Sequence, residues 1–527
     1  MNEPATRRGG RRLALATPHT AATEAGVAAF DAGGNAIDAA LTACSVLAIV
    51  YPHMCSIGGD MIALLHLPGG EVITLNGSGA APMELSPGDV RARARSMPIT
   101  GPHTITVPGV MAGWEALRKL GATVPIAAIL EPAIDHAFAG YAAASSLRRA
   151  LTDHATQLSR DPGMATTLLA GGVPEETTVI RQPALGETLR TIASDGVSAF
   201  YRGDVGRSFV RGVRAIGSEL SDADLRRHQT EIAEPVTAQF GSRRISTAPP
   251  NSQGFVLLEI LLVLERLGVN LNTLGPDVGT IARVFELASR DRDRHLADPR
   301  FSRVPVDELL GHDHIEAVVG GMAEPPYWTS QAMGERTASG DTVAVVAADG
   351  DGWAVSVIQS VFHAFGSGIL EPRTGIICHN RGAGFSLDES SPNVLRGGKR
   401  PAHTLMPVFV FDNGRLEIVA GAMGGYAQPQ IHAQILGRLF GGADADAAVS
   451  ASRWVIGALD AGDRSELVSM ERRSFDRCGP QFESTGRDIV VLDDGDDEVG
   501  HAQYVVLRDG HLTAASDPRA DGSAAIV

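Results

Sequence analysis

The stretch GERTASGDTVAVVAADGDG, residues 334–352, passes from small turn-forming residues into an alternating apolar run and stops at a Gly-containing turn. The alternation predicts a strand opening at Thr342, and WAVSVIQS (353–360) beyond the turn predicts its hairpin partner. A threonine at the head of a strand is ordinarily a packing choice, because its branched side chain suits a pleated surface. What sets Thr342 apart is the run before it: Ser339, Gly340 and Asp341 are small and conformationally permissive.

Two further hairpins are predicted downstream, PVFVF-DNG-RLEIVAGAMGG (407–425) and AQYVVL-RDG-HLTAASD (502–517), with two helical stretches between them. Upstream, residues 20–52 predict two helices broken at Gly33-Gly34, the second capped by Asn35. MIALLHLPGGEVITLNGSG (61–79) reads as a hairpin turning on Pro68-Gly69-Gly70. Residues 110–270 read as mainly helical with a break at APPNSQG (248–254), and 319–341 as a long surface loop. Helices outside and antiparallel sheet inside predict an α+β layered fold.

Composition bounds the function. The chain has 527 residues, 44% hydrophobic and 20% charged, with 60 glycines and few aromatics, as expected of a close-packed soluble protein. A net charge of −16 argues against a nucleic-acid partner. Four cysteines, Cys44, Cys55, Cys378 and Cys478, without framework spacing predict a reduced, cytoplasmic protein. The run AIDAALTACSVLAIV (36–50) carries Asp38 and is too short to span a bilayer, so it reads as a buried helix and no membrane partner is expected. The arginines near the N-terminus leave a weak twin-arginine export signal open.

Several motifs have duller readings. FGSGIL (365–370) lacks the strand–helix context of a dinucleotide loop. HDHIE (312–316) offers metal-ligand chemistry but no distant partner set, and reads as a solvated loop. RDRDRHLADPR (290–300) reads as an ion-paired helix face. Gly424-Gly425, at the end of a strand and before a helix, can present backbone N–H groups to an oxyanion, or can simply be a turn.

In order along the chain, DAGGNAIDAAL (31–41), SIGGD (56–60), VPGVMAGW (107–114), APPNSQG, GDTVAVVAADGDGWAV, FGSGI, NRGAGFS, KRPAHTLMP, GAMGGYAQPQ and AASDPR (514–519) resemble the γ-glutamyltranspeptidase family of N-terminal-nucleophile hydrolases. The resemblance implies a four-layer αββα sandwich and a proenzyme that cuts itself between Asp341 and Thr342. A large chain (1–341) and a small chain (342–527) would then form one unit. It implies Thr342 as nucleophile with its own freed α-amine as base, Ser360 as the hydroxyl bonded to it, and Gly424 and Gly425 as the oxyanion hole. No metal or organic cofactor is expected. The partners expected are a small amide substrate and the two chains of one precursor, with a homodimer or a dimer of heterodimers left open.

The sequence departs from the family where the glutamyl head is held. The arginine position reads Ser78, the amine-side positions read Phe362, Arg381 and Gly384, and the two carboxylate-holding serines become His403 and Thr404. An arginine suits a carboxylate. The pattern is similar to the branch containing oxamate amidohydrolase and acylase-like members, and a small carboxylated amide is the expected substrate. A γ-glutamyl hydrolase or transferase and a non-catalytic family member are the alternatives. Arg381 as a structural ion pair or an entrance residue also stays open.

Overall fold

The computed structural model describes residues 12–323, 341–457, 467–483, 487–508 and 510–527. Two antiparallel sheets lie face to face. The first runs, in spatial order, Ser523–Ile526, Leu13–Thr17, Asp341–Asp349, Ala354–Phe362, Asp60–His66, Val72–Gly77 and Glu231–Ala233. The second runs His511–Ser516, His501–Arg508, Arg415–Met423, Val408–Asp412, Arg243–Thr247 and Val236–Phe240. Each sheet takes strands from both sides of the Asp341–Thr342 bond, so the two segments share both sheets.

Period-2 alternation builds the layers. Along Asp341–Asp349, Val343, Val345 and Ala347 join the core beneath one helical layer, with Ile37, Leu41 and Leu47 of the helix Ala36–Val50. Ala344, Val346 and Ala348 point the other way, against Leu405, Phe409 and Val419. A third core lies outside the second sheet, under Phe255–Leu267, Val278–His295, His312–Gly320 and Gln428–Phe440. The result is the expected α+β, αββα sandwich. Thr342 has the parity of the inter-sheet face.

Ala36–Val50 is buried along its whole length, as its apolar run required. Asp38 is tolerated there because it completes a capping box with Asn35 and accepts from the Thr123 and Val124 amides. All four cysteines are free and buried. No described helix is long and apolar enough to cross a membrane.

Four expectations need correction. The mainly helical stretch is interrupted after Arg227 by a hairpin, Val236–Phe240 with Arg243–Thr247, before helix resumes at Phe255–Leu267. Val236–Phe240 is the edge strand and does alternate along VTAQF, but five residues are too short a run to stand out in a stretch read as helical. Among the described residues between the last two hairpins stand three α-helices (Gln428–Phe440, Ala445–Ser450, Arg472–Glu483) and a small sheet of Trp454–Ile456, Val468–Glu471 and Ile489–Leu492. HDHIE opens the helix His312–Gly320. The predicted strand starts one residue early, at Asp341. Most of the predicted 319–341 loop, and the arginines at 7, 8 and 11, lie outside the described residues.

Candidate functional site

Thr342 is 1% exposed, in a strand paired residue for residue with Ala354–Phe362. Thr342 lies opposite Ser360, and Ser360 lies opposite Asp60 on the next strand. Directly opposed residues share a face, so one row of three polar side chains crosses the mouth of the sandwich. Thr342 Oγ1 donates to Ser360 Oγ at 3.1 Å, and Ser360 Oγ donates to the Asp341 carbonyl at 2.5 Å. One serine therefore touches both the candidate nucleophile and the carbonyl oxygen of the bond before it.

Register slips after Ser360, where Phe362 comes opposite Asp341. Phe362 takes φ 84°, costly for an aromatic residue, and its amide donates to Ser360 Oγ at 2.7 Å. Such bulges re-aim side chains beside functional sites. The strand can come this close to the SIGGD turn because Gly59 has no side chain: a Cβ there would stand 2.3 Å from the Ser360 carbonyl oxygen.

From Phe362 the contacts run on without a gap. The Arg381 guanidinium lies 3.7 Å over its ring, and Arg381 Nη1 donates to Thr404 Oγ1 at 3.3 Å. Gln253 Nε2 donates to the Thr404 carbonyl and to the Gly425 carbonyl, both at 2.9 Å. Gly424 (φ 145°) and Gly425 (φ 52°) form the turn between Arg415–Met423 and Gln428–Phe440. Arg292 backs that turn, donating to the Tyr426 carbonyl at 3.1 Å and lying over its ring. Thr342, Ser360, Phe362, Arg381, Thr404 and Gly425 thus belong to one connected cluster.

Ser78 and His403 sit at its edge with their polar atoms engaged inside the protein. Ser78 Oγ donates to Asn76 Oδ1 at 2.7 Å. His403 Nε2 donates to Asp60 Oδ2 at 3.2 Å, while its Nδ1 accepts from the Leu405 amide. Both ring nitrogens of His403 are thus engaged within the protein, by Asp60 and by the Leu405 amide. Gly384, on the short helix Arg381–Gly384, presents its carbonyl to Asn393.

Asp60 was quoted in SIGGD without a role, and it is the charge that organises this flank. It is 0% exposed, accepts from the Gly79 amide at 2.9 Å, and lies 3.6 Å from His379 Nδ1. Burial alone would raise its carboxyl, but His379, His403 and Arg381 hold it below the usual range. Burial, reinforced by Arg381, pushes His403 down to about 4 and His363 to about 3, so both imidazoles are neutral near pH 7. This flank thus brings a buried carboxylate, Asp60, near a buried guanidinium, Arg381. A cleft of about 180 Å³ reaches the other flank, where Asp341, Met423, Ala364 and His53 line it.

HDHIE also has the distant partners its sequence did not reveal. His314 Nε2 lies 3.3 Å from Glu259 Oε1 and 3.2 Å from Asp291 Oδ2. Burial, with the neighbouring Asp291 charge, raises the Glu259 carboxyl, and the two acids raise His314. The ion-paired face expected at 290–300 is present in Arg292–Asp293 (2.8 Å), but Asp291 and Arg292 are buried and turned inward.

The Gamma-glutamyltranspeptidase family profile matches residues 22–527. The chain is 36% identical to the oxamate amidohydrolase proenzyme of Klebsiella pneumoniae, over 96% of this chain and 97% of that one. It is 34% identical to a glutathione hydrolase-like proenzyme of Bacillus subtilis, over 98% of each. The solved cephalosporin acylase of Bacillus halodurans superposes with a TM-score of 0.88 at 30% identity, covering 100% of this chain and 99% of that one. Fold, motif order and length agree, and the chain belongs to the γ-glutamyltranspeptidase family of N-terminal-nucleophile hydrolases.

Proposed function

We propose that this chain is a self-processing amidohydrolase that acts on a small carboxylated, oxamate-like amide. The observation that carries the reading is the Thr342–Ser360–Asp341 arrangement. Ser360 accepts the Thr342 hydroxyl proton and donates to the carbonyl that the hydroxyl oxygen would attack. Attack of Thr342 Oγ1 on the Asp341 carbonyl carbon gives a tetrahedral adduct. Its C–N bond breaks as the nitrogen takes a proton, leaving an ester. Water cleaves the ester to an Asp341 carboxylate and restores the Thr342 hydroxyl, now beside a free α-amine.

That amine, with a reference pKa of about 7.7–8.0, then serves as base for the same hydroxyl. Departure of Asp341 opens the buried Thr342 toward the cleft that Asp341 lines. In turnover the acyl carbon of the substrate bonds to Thr342 Oγ1, ammonia or an amine leaves, and water releases the acid. The Gly424-Gly425 turn is the oxyanion donor in this reading. Arg381 with Thr404 holds the substrate carboxylate. The 36% identity to an oxamate amidohydrolase proenzyme supports the substrate class.

A γ-glutamyl hydrolase or transferase is the second reading. Asp60 favours it, because a buried carboxylate near Arg381 could meet a substrate ammonium. The 34% identical glutathione hydrolase-like proenzyme favours it as well. A non-catalytic role has no support in a site that retains the threonine–serine pair.

Two measurements test the proposal. The purified protein should run as two associated chains of 341 residues and the remaining 186 of 527, with Thr342 first in the smaller. Thr342→Ala should stay whole, and any other N-terminus sinks the assignment. Turnover on oxamate, a γ-glutamyl anilide and glutaryl amides separates the two substrate readings.

A further inference from the structure

Away from that site, Glu259, Asp291 and His314 converge from three helices, Phe255–Leu267, Val278–His295 and His312–Gly320. One donor atom from each lies within 4.8 Å of the others. Glu259 is 0% and Asp291 3% exposed. Glu259 Oε2 has no hydrogen-bond partner among the described residues, while Asp291 Oδ2 is met by His314 Nε2, and a buried carboxylate oxygen is rarely left unpaired. Arg290 stands 4.0 Å off, on the other Asp291 oxygen. His314 is 26% exposed and gives the cluster a route to solvent.

We infer that Glu259, Asp291 and His314 bind one divalent first-row cation of the zinc or manganese type. Imidazole nitrogen and carboxylate oxygen bind such ions at about 2.0–2.2 Å, which sets tetrahedral donors about 3.3–3.6 Å apart. The His314 nitrogen is already 3.3 Å and 3.2 Å from its two acidic neighbours. One nitrogen with two carboxylates suits Zn²⁺ or Mn²⁺ better than Mg²⁺ or Ca²⁺, which prefer all-oxygen shells. Two carboxylates also cancel the ionic charge. Three protein ligands leave at least one position for water.

The role is structural. The ion ties the helix that leads toward the Asp341–Thr342 bond to the helix carrying Arg292, which backs the Gly425–Tyr426 turn. The site is independent of the substrate reading, and its test needs no turnover.

Full-length protein is stripped with EDTA, then dialysed against micromolar Zn²⁺ or Mn²⁺, and metal content and melting are measured. Wild type should hold one equivalent and melt about 3–5 °C higher with metal. His312→Ala, at an exposed histidine on the same helix, should behave the same way. Glu259→Gln and His314→Ala should bind at least about 100-fold more weakly, beyond what losing an outer partner alone costs. His314 is on a partly exposed helix face, so that variant should fold, which its melt in EDTA verifies. If neither ion binds wild type, or if His314→Ala keeps the equivalent, the cluster is an imidazolium held by two acids and the inference is overturned. Uptake of Ca²⁺ or Mg²⁺ in place of both ions overturns it too.

Discussion

Arg381 is where the chemistry of a single side chain decides most. Arg381 is 1% exposed, and its charge is one of those that hold the buried Asp60 carboxylate below the usual range. Phe362 covers one face of the fork and Thr404 takes one donor. Removing a buried charged partner typically costs about 2–5 kcal/mol. Arg381→Ala should therefore lose tens- to thousands-fold in kcat/KM on oxamate while still cutting itself at Thr342. Arg381→Lys keeps the charge but gives up the planar contact with Phe362, and should fall between the two. The measurement pairs oxamate with an uncharged amide of similar size. Equal losses on both would remove Arg381 from carboxylate recognition and leave it as Asp60's structural partner.

The Gly424-Gly425 turn shows the same logic in a small element. A Cβ at Gly424 would lie 2.3 Å from Ile431 Cδ1, and φ 145° is a conformation that favours glycine. Gly424→Ala should shift the turn, and displaced oxyanion donors typically cost about 10²–10³ in rate. Its melt should change far less than its kcat. A variant that folds, self-cleaves and turns over at the wild-type rate would take this turn out of the mechanism. Elements like this were legible in the sequence for a physical reason: central strands such as Asp341–Asp349 are buried on both faces and bounded by glycine turns. The hairpin at 236–247 was not, because its strands are five residues each and only Val236–Phe240 alternates. Thr342 and Ser360 could be read through the order of the family's motifs, and their pairing across the strands came only with the structure. Asp60 could not, since a lone acid at the mouth of a strand looks like any loop residue. Glu259, Asp291 and His314 needed three helices to be packed before their relation existed at all.

Across the whole molecule, the buried histidines set the acid limit. His53, His363, His403, His432 and His501 are at most 5% exposed, and burial pushes them down to about 3, 3, 4, 3 and 4. In the unfolded chain each titrates near about 6.5. Below that pH the unfolded state binds protons that the folded state refuses, so stability rises with pH there and is lost as pH falls from about 6.5 toward 4. Above about 7.5 neither state holds these protons and their contribution is flat. Each group adds up to about 1.4 kcal/mol per pH unit. Five acting together would exhaust a typical stability of about 5–15 kcal/mol within roughly one to two units. Asp60 and Asp517, held low by their cationic neighbours, add losses of the same sign at still lower pH. The urea midpoint should therefore be level from pH 7.5 to 8.5, fall steeply between 6.5 and 5, and reach zero before the carboxylates titrate. His432 tests the origin of the slope, because its ring touches only Tyr504 among the described contacts and lies outside the catalytic cluster. His432→Gln should flatten the acid limb by about one proton and leave self-cleavage intact. An unchanged limb in that variant, or a wild-type midpoint that holds level down to pH 5, would mean that the histidines are not what limits this fold in acid.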